Sequence, residues 1–201
     1  VVGVVSANDP DAGDQRTFTL VTNPGNRFAI NATTGQVTVI GTVDHETGPT
    51  HTIRVRVTDS GGLTSETDLV VGVNNVNEAP TITSPTTANF AENGVGIAYT
   101  IAANDPDANT TLTYSLTGTD AARFNINATS GEITFKTPPN FEAPTDSDAN
   151  NSYVVTVQAS DGQVTSSKTV TISVTNVNET PTIMSAAAVT FAENASGVVY
   201  A

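Results

Sequence analysis

The chain repeats itself, and the repeat limits what it can fold into. Phe90-Ala91-Glu92-Asn93 recurs as Phe191-Ala192-Glu193-Asn194, and Asn75-Val76-Asn77-Glu78-Ala79-Pro80 recurs as Asn176-Val177-Asn178-Glu179-Thr180-Pro181, both 101 positions on. Asn8-Asp9-Pro10-Asp11 returns as Asn104-Asp105-Pro106-Asp107 after 96 positions, and the offset grows because the second copy carries extra residues around Pro144 to Asn151. Self-similarity at roughly a hundred residues means a tandem array of small domains, not one enzyme fold. Val1 aligns with Ile97, and Ala201 is equivalent to Thr100. The expected units are therefore 1–79 (a repeat lacking its first strand), 80–180 (a complete repeat) and 181–201 (the first strand of a third).

Each unit reads as β-structure. Alternation of period two runs through Thr52 to Val57, Tyr153 to Gln158 and Lys168 to Val174, the mark of half-buried strands. Turn clusters punctuate them: Asn31-Ala32-Thr33-Thr34-Gly35 and its copy Asn127-Ala128-Thr129-Ser130-Gly131, then Asp59-Ser60-Gly61-Gly62 against Asp161-Gly162. No segment offers helical spacing with caps. About seven short strands per hundred residues predict an all-β chain of tandem seven-stranded Greek-key β-sandwiches, arranged as an elongated rod.

Charge narrows the partners. Seven Lys+Arg against 20 Asp+Glu give a formal charge of -13, which repels nucleic acid and anionic membrane surfaces and leaves cations as natural partners. No Cys is present, so a disulfide, a thiolate nucleophile and a thiolate metal site are all excluded. No stretch approaches the 18 or so apolar residues of a membrane span, so direct membrane insertion is not expected.

Five motifs stand in order in the second copy. Phe90 to Asn93 comes first, then Asn104 to Asp107, Phe124 to Ile133, Asn140-Phe141-Glu142 and Ala159-Ser160-Asp161-Gly162, and Asn176 to Pro181 closes the unit; the first copy keeps the order from Asn8 to Pro80. The set resembles cadherin repeats, specifically the tandem cadherin-like domains of large bacterial surface adhesins, RTX-type proteins among them. The resemblance implies Ca2+ between consecutive domains. At the first junction it assigns Asp44 and Glu46 from the bottom of one domain, Asn75, Asn77 and Glu78 from the linker, and Asp105, Asp107 and Asp161 from the top of the next. At the second it assigns Glu92, Asn140, Glu142, Asn176, Asn178 and Glu179, while Asp9, Asp11 and Asp59 are the matching top ligands of the first unit. Two departures lower the expected ion count. Asn140 stands where the other copy has Asp44, and the linker is shorter than the Asp-x-Asn-Asp-Asn-x-Pro of animal cadherins.

The charges argue for an ion independently of the name. Glu92, Asp105, Asp107, Glu142 and Asp161 are far apart in sequence, yet sandwich loops gather at the two ends. Two carboxylates about 4 Å apart near a surface repel by roughly 4 kcal/mol, so several together require a cation. Calcium is the hard cation that accepts 6 to 8 oxygen ligands in flexible geometry.

Blander readings stand beside these. Asp9-Pro10-Asp11-Ala12-Gly13 taken alone is also an ordinary turn, and it is the second copy with its partner acids that favours ligation. An EF-hand counted from Asp9 or Asp105 puts Leu20 or Leu116 where its bidentate Glu belongs, so that form of calcium site fails twice. His45 and His51 have no counterparts in the second copy and read as strand or surface residues. No Gly-x-Ser-x-Gly elbow supports a hydrolase, and Glu92 with Glu142 is better explained by ion ligation than by glycosidase chemistry, so no catalytic residue is assigned. Phe28, Ile30, Phe124 and Ile126 alternate as core residues, and the sequons at Asn31, Asn109, Asn127 and Asn194 read as coincidence in a bacterial chain.

The functional expectation is a calcium-dependent extracellular or cell-surface adhesion module whose junction ions stiffen the array. The alternatives are a directly adhesive module, binding identical repeats or surface polysaccharide, and a filament subunit in which residues near Val189 to Ala201 donate a strand to a neighbour.

Overall fold

The computed structural model describes residues 1–11, 13–185, 188, 190, 192–194, 196 and 197. The first repeat contributes β1 (Gly3–Val4), β2 (Thr17–Thr22), β3 (Phe28–Ile30), β4 (Gln36–Val39), β5 (Thr50–Thr58) and β6 (Thr64–Gly72). One sheet has the order β1-β4-β3 and the other β2-β5-β6. Between them Phe18, Phe28, Val37, Ile53, Val55 and Val71 form a buried core, and the alternation of β5 puts His51, Ile53 and Val55 inward. On the outer face Arg54 pairs with Asp68 and Arg56 with Glu66, each directly opposite in the β5–β6 register.

The second repeat contributes β7 (Thr81–Ile82), β8 (Thr87–Ala91), β9 (Ile97–Thr100), β10 (Ala103–Asn104), β11 (Thr113–Thr117), β12 (Phe124–Ile126), β13 (Glu132–Phe135), β14 (Ser152–Ser160) and β15 (Thr165–Thr175). Its sheets run β11-β14-β15-β8 and β12-β13-β9, with β7 and β10 paired separately. Nearly all pairings are antiparallel; β15 with β8 is parallel, from Thr171 opposite Thr87 to Thr175 opposite Ala91. Tyr153, Val155, Val157, Val170, Ile172 and Ile133 are fully buried, and Phe124 and Phe135 pack their rings on Tyr153 at centroid distances of 5.8 and 5.0 Å. The chain is thus all-β with sandwich packing, as expected.

The two turns that read alike in sequence are built alike. Asn31 Oδ1 accepts the N–H groups of Thr33 and Thr34, and Asn127 Oδ1 those of Thr129 and Ser130. Gly35 and Gly131 follow at φ of 66° and 72°, and a Cβ on Gly131 would sit 2.7 Å from the Ile101 carbonyl oxygen, so glycine is required there. The expected strand donation by Val189 to Ala201 concerns a segment whose Val189, Phe191, Ala195 and residues 198–201 lie outside the described residues.

Candidate metal centre

Three separate pieces of chain meet at the first junction. The loop from β4 to β5 carries Asp44 and Glu46, and Asp44 Oδ1 closes that loop by accepting the N–H groups of Glu46 at 2.9 Å and Thr47 at 3.4 Å. His45 fastens the loop to the linker, with Nδ1 2.7 Å from the Val73 carbonyl oxygen. From the far side, Asp105 and Asp107 follow β10, and Asp107 N–H donates to Asp105 Oδ1 at 2.9 Å.

The linker is then stitched to the second sandwich. Asn75 Nδ2 and the Glu78 N–H donate to the two oxygens of Asp107 at 2.6 and 3.0 Å. Asn77 Nδ2 donates to Asp161 Oδ2, and Gln163 Nε2 donates to Asn77 Oδ1, both at 2.8 Å. Asp161 Oδ1 takes the N–H groups of Gln163 and Val164. Gln163 carried no sequence signal, because the first copy has Gly61-Gly62 in that turn.

Carboxylate oxygens of Glu46, Glu78 and Asp107 lie within 4.8 Å of one another. Partial desolvation, then repulsion from Glu46, Asp107, Asp44 and Asp105, pushes the Glu78 carboxyl above its ordinary value. The Asn75 amide and the Glu78 N–H hold Asp107 below it, and the Val164 N–H with the Asn77 amide does the same for Asp161. Asp105 Oδ2 is buried with no hydrogen-bond partner among the described residues. A buried carboxylate oxygen without a donor is costly unless something positive meets it. The donors gathered here are all oxygens, with no thiolate, which suits Ca2+. The residues therefore fit that ion.

At the second junction carboxylate oxygens of Glu92, Glu142 and Glu179 also lie within 4.8 Å of one another. Glu92 is 3% exposed and bridges two segments, accepting the N–H groups of Val177 at 2.7 Å and Phe141 at 2.8 Å. Those two bonds hold its carboxyl below the ordinary value. Asn176 Nδ2 donates to Glu142 and Asn93 Nδ2 to Glu179, each at 2.7 Å. Asn178 lies in the same exposed segment. Asn140 Oδ1 accepts the N–H groups of Glu142 and Ala143, so the only oxygen of that side chain already closes its own loop.

At the top of the first sandwich the acids that converge are Asp9, Asp14 and Asp59, with oxygens within 4.8 Å of one another. Asp11 lies outside that set; its N–H donates to Asp9 Oδ1. Asp14 accepts from the Ser60 N–H and hydroxyl. Sequence reasoning passed over Asp14 because Thr110 occupies the corresponding place in the second copy.

Comparisons with known proteins agree with the all-β sandwich fold. The family model described as Cadherin domain matches residues 1–74 and 86–175. Human Protocadherin Fat 1 is 29% identical over 191 residues, which is 89% of this chain and 4% of that relative. Human Cadherin EGF LAG seven-pass G-type receptor 2 is 33% identical over 184 residues, 87% of this chain and 6% of that relative. The chain thus spans only a small part of the length of the curated relatives it matches. Among solved structures, mouse Cadherin-23 EC22-24 superposes with TM-score 0.64 at 25% identity, over 81% of this chain and 53% of that one.

Proposed function

From the premise that the chain belongs to the cadherin-domain family, whose members are adhesion modules and not enzymes, we propose that it is a calcium-stiffened spacer of an extracellular adhesion protein. In this reading the units are residues 1–79 and 80–180, and residues 181–201 open a third. The parent is a large multi-repeat adhesin at the cell surface, of the bacterial kind its motifs resemble; the relatives reported above are animal proteins. Among the described residues no helix is long and apolar enough to cross a membrane.

One observation carries the reading: Glu46, Glu78 and Asp107, whose carboxylates converge, belong to the first sandwich, the linker and the second sandwich. Calcium, when bound, supplies the positive charge those carboxylates lack. Asp44, Glu46, Glu78, Asp105 and Asp107 offer oxygens, while Asn75, Asn77 and Asp161 hold the linker against the second sandwich. Without a cation, repulsion among the acids opposes docking of the Glu46 loop on the linker. With one, the three segments are held together and the linker cannot hinge. Glu92, Glu142 and Glu179 form the matching set at the second junction, with Asn93 and Asn176 fixing two of them and Asn178 adding an oxygen.

The test combines calorimetry with small-angle scattering in EDTA, in about 10 mM calcium and in the same concentration of magnesium, roughly tenfold the weaker affinities of extracellular modules. Calcium alone should raise the melting temperature and extend the particle. Glu78→Gln should reduce both effects. A chain whose melting and dimensions ignore calcium refutes the proposal. Self-association or retention on a polysaccharide column in calcium would favour the directly adhesive module.

A further inference from the structure

The two repeats differ most in the stretch between β13 and β14. The first repeat runs from Asp44 to Thr50, where the second runs from Asn140 to Ser152. The added stretch reads Asp146-Ser147-Asp148-Ala149-Asn150-Asn151 and places oxygen-bearing side chains at alternate positions. That is the spacing of the first three side-chain ligands of a D-x-[DN]-x-[DN]-G calcium loop. The sixth position of such a loop needs left-handed backbone, normally supplied by glycine. Asn151 takes it at φ 65°.

Asp146 is 7% exposed, and the chain folds back around it: the N–H groups of Asn150 and Asn151 donate to its two oxygens at 2.8 and 3.2 Å. Asp148 lies against Asp146, and this contact pushes the Asp148 carboxyl above its ordinary value. Asn150 Nδ2 donates to Asp148 Oδ2 at 2.7 Å. No cationic side chain compensates the pair. Among the described residues the ion pairs are Arg54–Asp68 and Arg56–Glu66, both in the first sandwich.

A separate observation lies outside the acid pair. Asn151 Oδ1 is shielded from solvent and has no hydrogen-bond partner among the described residues, while its Nδ2 is anchored on the Phe141 carbonyl at 2.9 Å. An amide oxygen removed from water and left without a donor is a place for a cation.

We propose that Asp146, Asp148, Asn150 and Asn151 hold a calcium ion within the second repeat, distinct from the junctions. The loop is not an EF-hand, because the twelfth position from Asp146 is the fully buried Val157. Water and backbone carbonyls therefore complete the shell. The inference does not depend on the junction reading, although the Asn151–Phe141 bond links this loop to the segment bearing Glu142.

The experiment is a two-dimensional amide NMR titration of the 201-residue chain with calcium and, separately, with magnesium. The amides of Asn150, Asn151 and Ser152 should shift and saturate in calcium with a dissociation constant on the order of 0.1–1 mM. Asp148→Asn, at an exposed position, should weaken that response about tenfold while the amides of Glu78 and Asp107 titrate as before. Glu78→Gln should do the reverse, which separates failure of this site from failure of the junction. Amides 150–152 unmoved by calcium in the wild-type chain overturn the proposal. So does an equal response to magnesium, or an Asp148→Asn chain that titrates normally at those amides.

Discussion

The two repeats share a framework and differ in how their lower ends are charged and closed. In the first, Asp44 closes the β4–β5 loop with one oxygen and has a second left over; in the second, Asn140 closes the same loop with its only oxygen. The first repeat buries His51 where the second buries Tyr153, and His51 Nε2 has no partner whereas the Tyr153 hydroxyl meets Thr145. Local geometry is evidently kept by either residue of a pair, while charge and packing are free to diverge. A tandem array can therefore vary loop charge and core packing from unit to unit without altering the fold.

The sharpest way to break that comparison is in the cores. Tyr153→Ala removes a fully buried ring packed edge-on against Phe124 and Phe135 and should cost about 3–5 kcal/mol, read as an early transition of the second sandwich in denaturant. His51→Ala, at a position with an edge contact to Phe28 and an unsatisfied nitrogen, should cost markedly less. Equal losses would show that the two cores are equivalent after all.

Calcium comes next. By mass action, each site filled at ten times its dissociation constant should add about 1.4 kcal/mol, measured as the calorimetric difference between calcium and EDTA. Smaller still is the charge exchange at the loops: Asn140→Asp should tighten calcium at the second junction several-fold, up to about tenfold, and Asp44→Asn should loosen the first by a similar factor, both read by isothermal titration. If neither substitution changes affinity, these side chains close loops and do nothing more. The least effect is expected at Arg54→Ala. It breaks a pair that is nearly half exposed on the β5–β6 surface, so the melting temperature should hardly move, and less so at high salt.

Much of the architecture could be read from particular residues. The alternation of Thr52 to Val57, Tyr153 to Gln158 and Lys168 to Val174 falls within β5, β14 and β15, because one buried face imposes a period of two. The recurrent Asn-x-Thr-x-Gly turns announced themselves because side-chain oxygens and left-handed glycine leave few substitutes. Of the repeated acids, Glu46, Glu78, Asp107, Glu92, Glu142 and Glu179 make up two of the threes that the fold assembles, and Asp9 and Asp59 join the unrepeated Asp14 in the third. What stayed hidden is what repetition cannot reveal. Asp14 and Gln163 act in one copy alone, and the parallel pairing of β8 with β15 leaves no mark on composition. The Asp146 loop lacks the terminal glutamate by which such loops are recognised, since Val157 belongs to the core there.

The parallel pairing of β15 with β8 has a mechanical meaning. One strand lies near the start of the second sandwich and the other at its end, joined through five residue pairs in register. Tension applied along the chain at Thr81 and Thr175 pulls these strands past each other, so their hydrogen bonds are loaded together in shear and are not peeled apart one at a time. A unit held this way yields late under force. In the proposed calcium-stiffened array the weakest element along a row of such units becomes whichever linker has lost its ion, and the calcium concentration outside sets where the row first gives way.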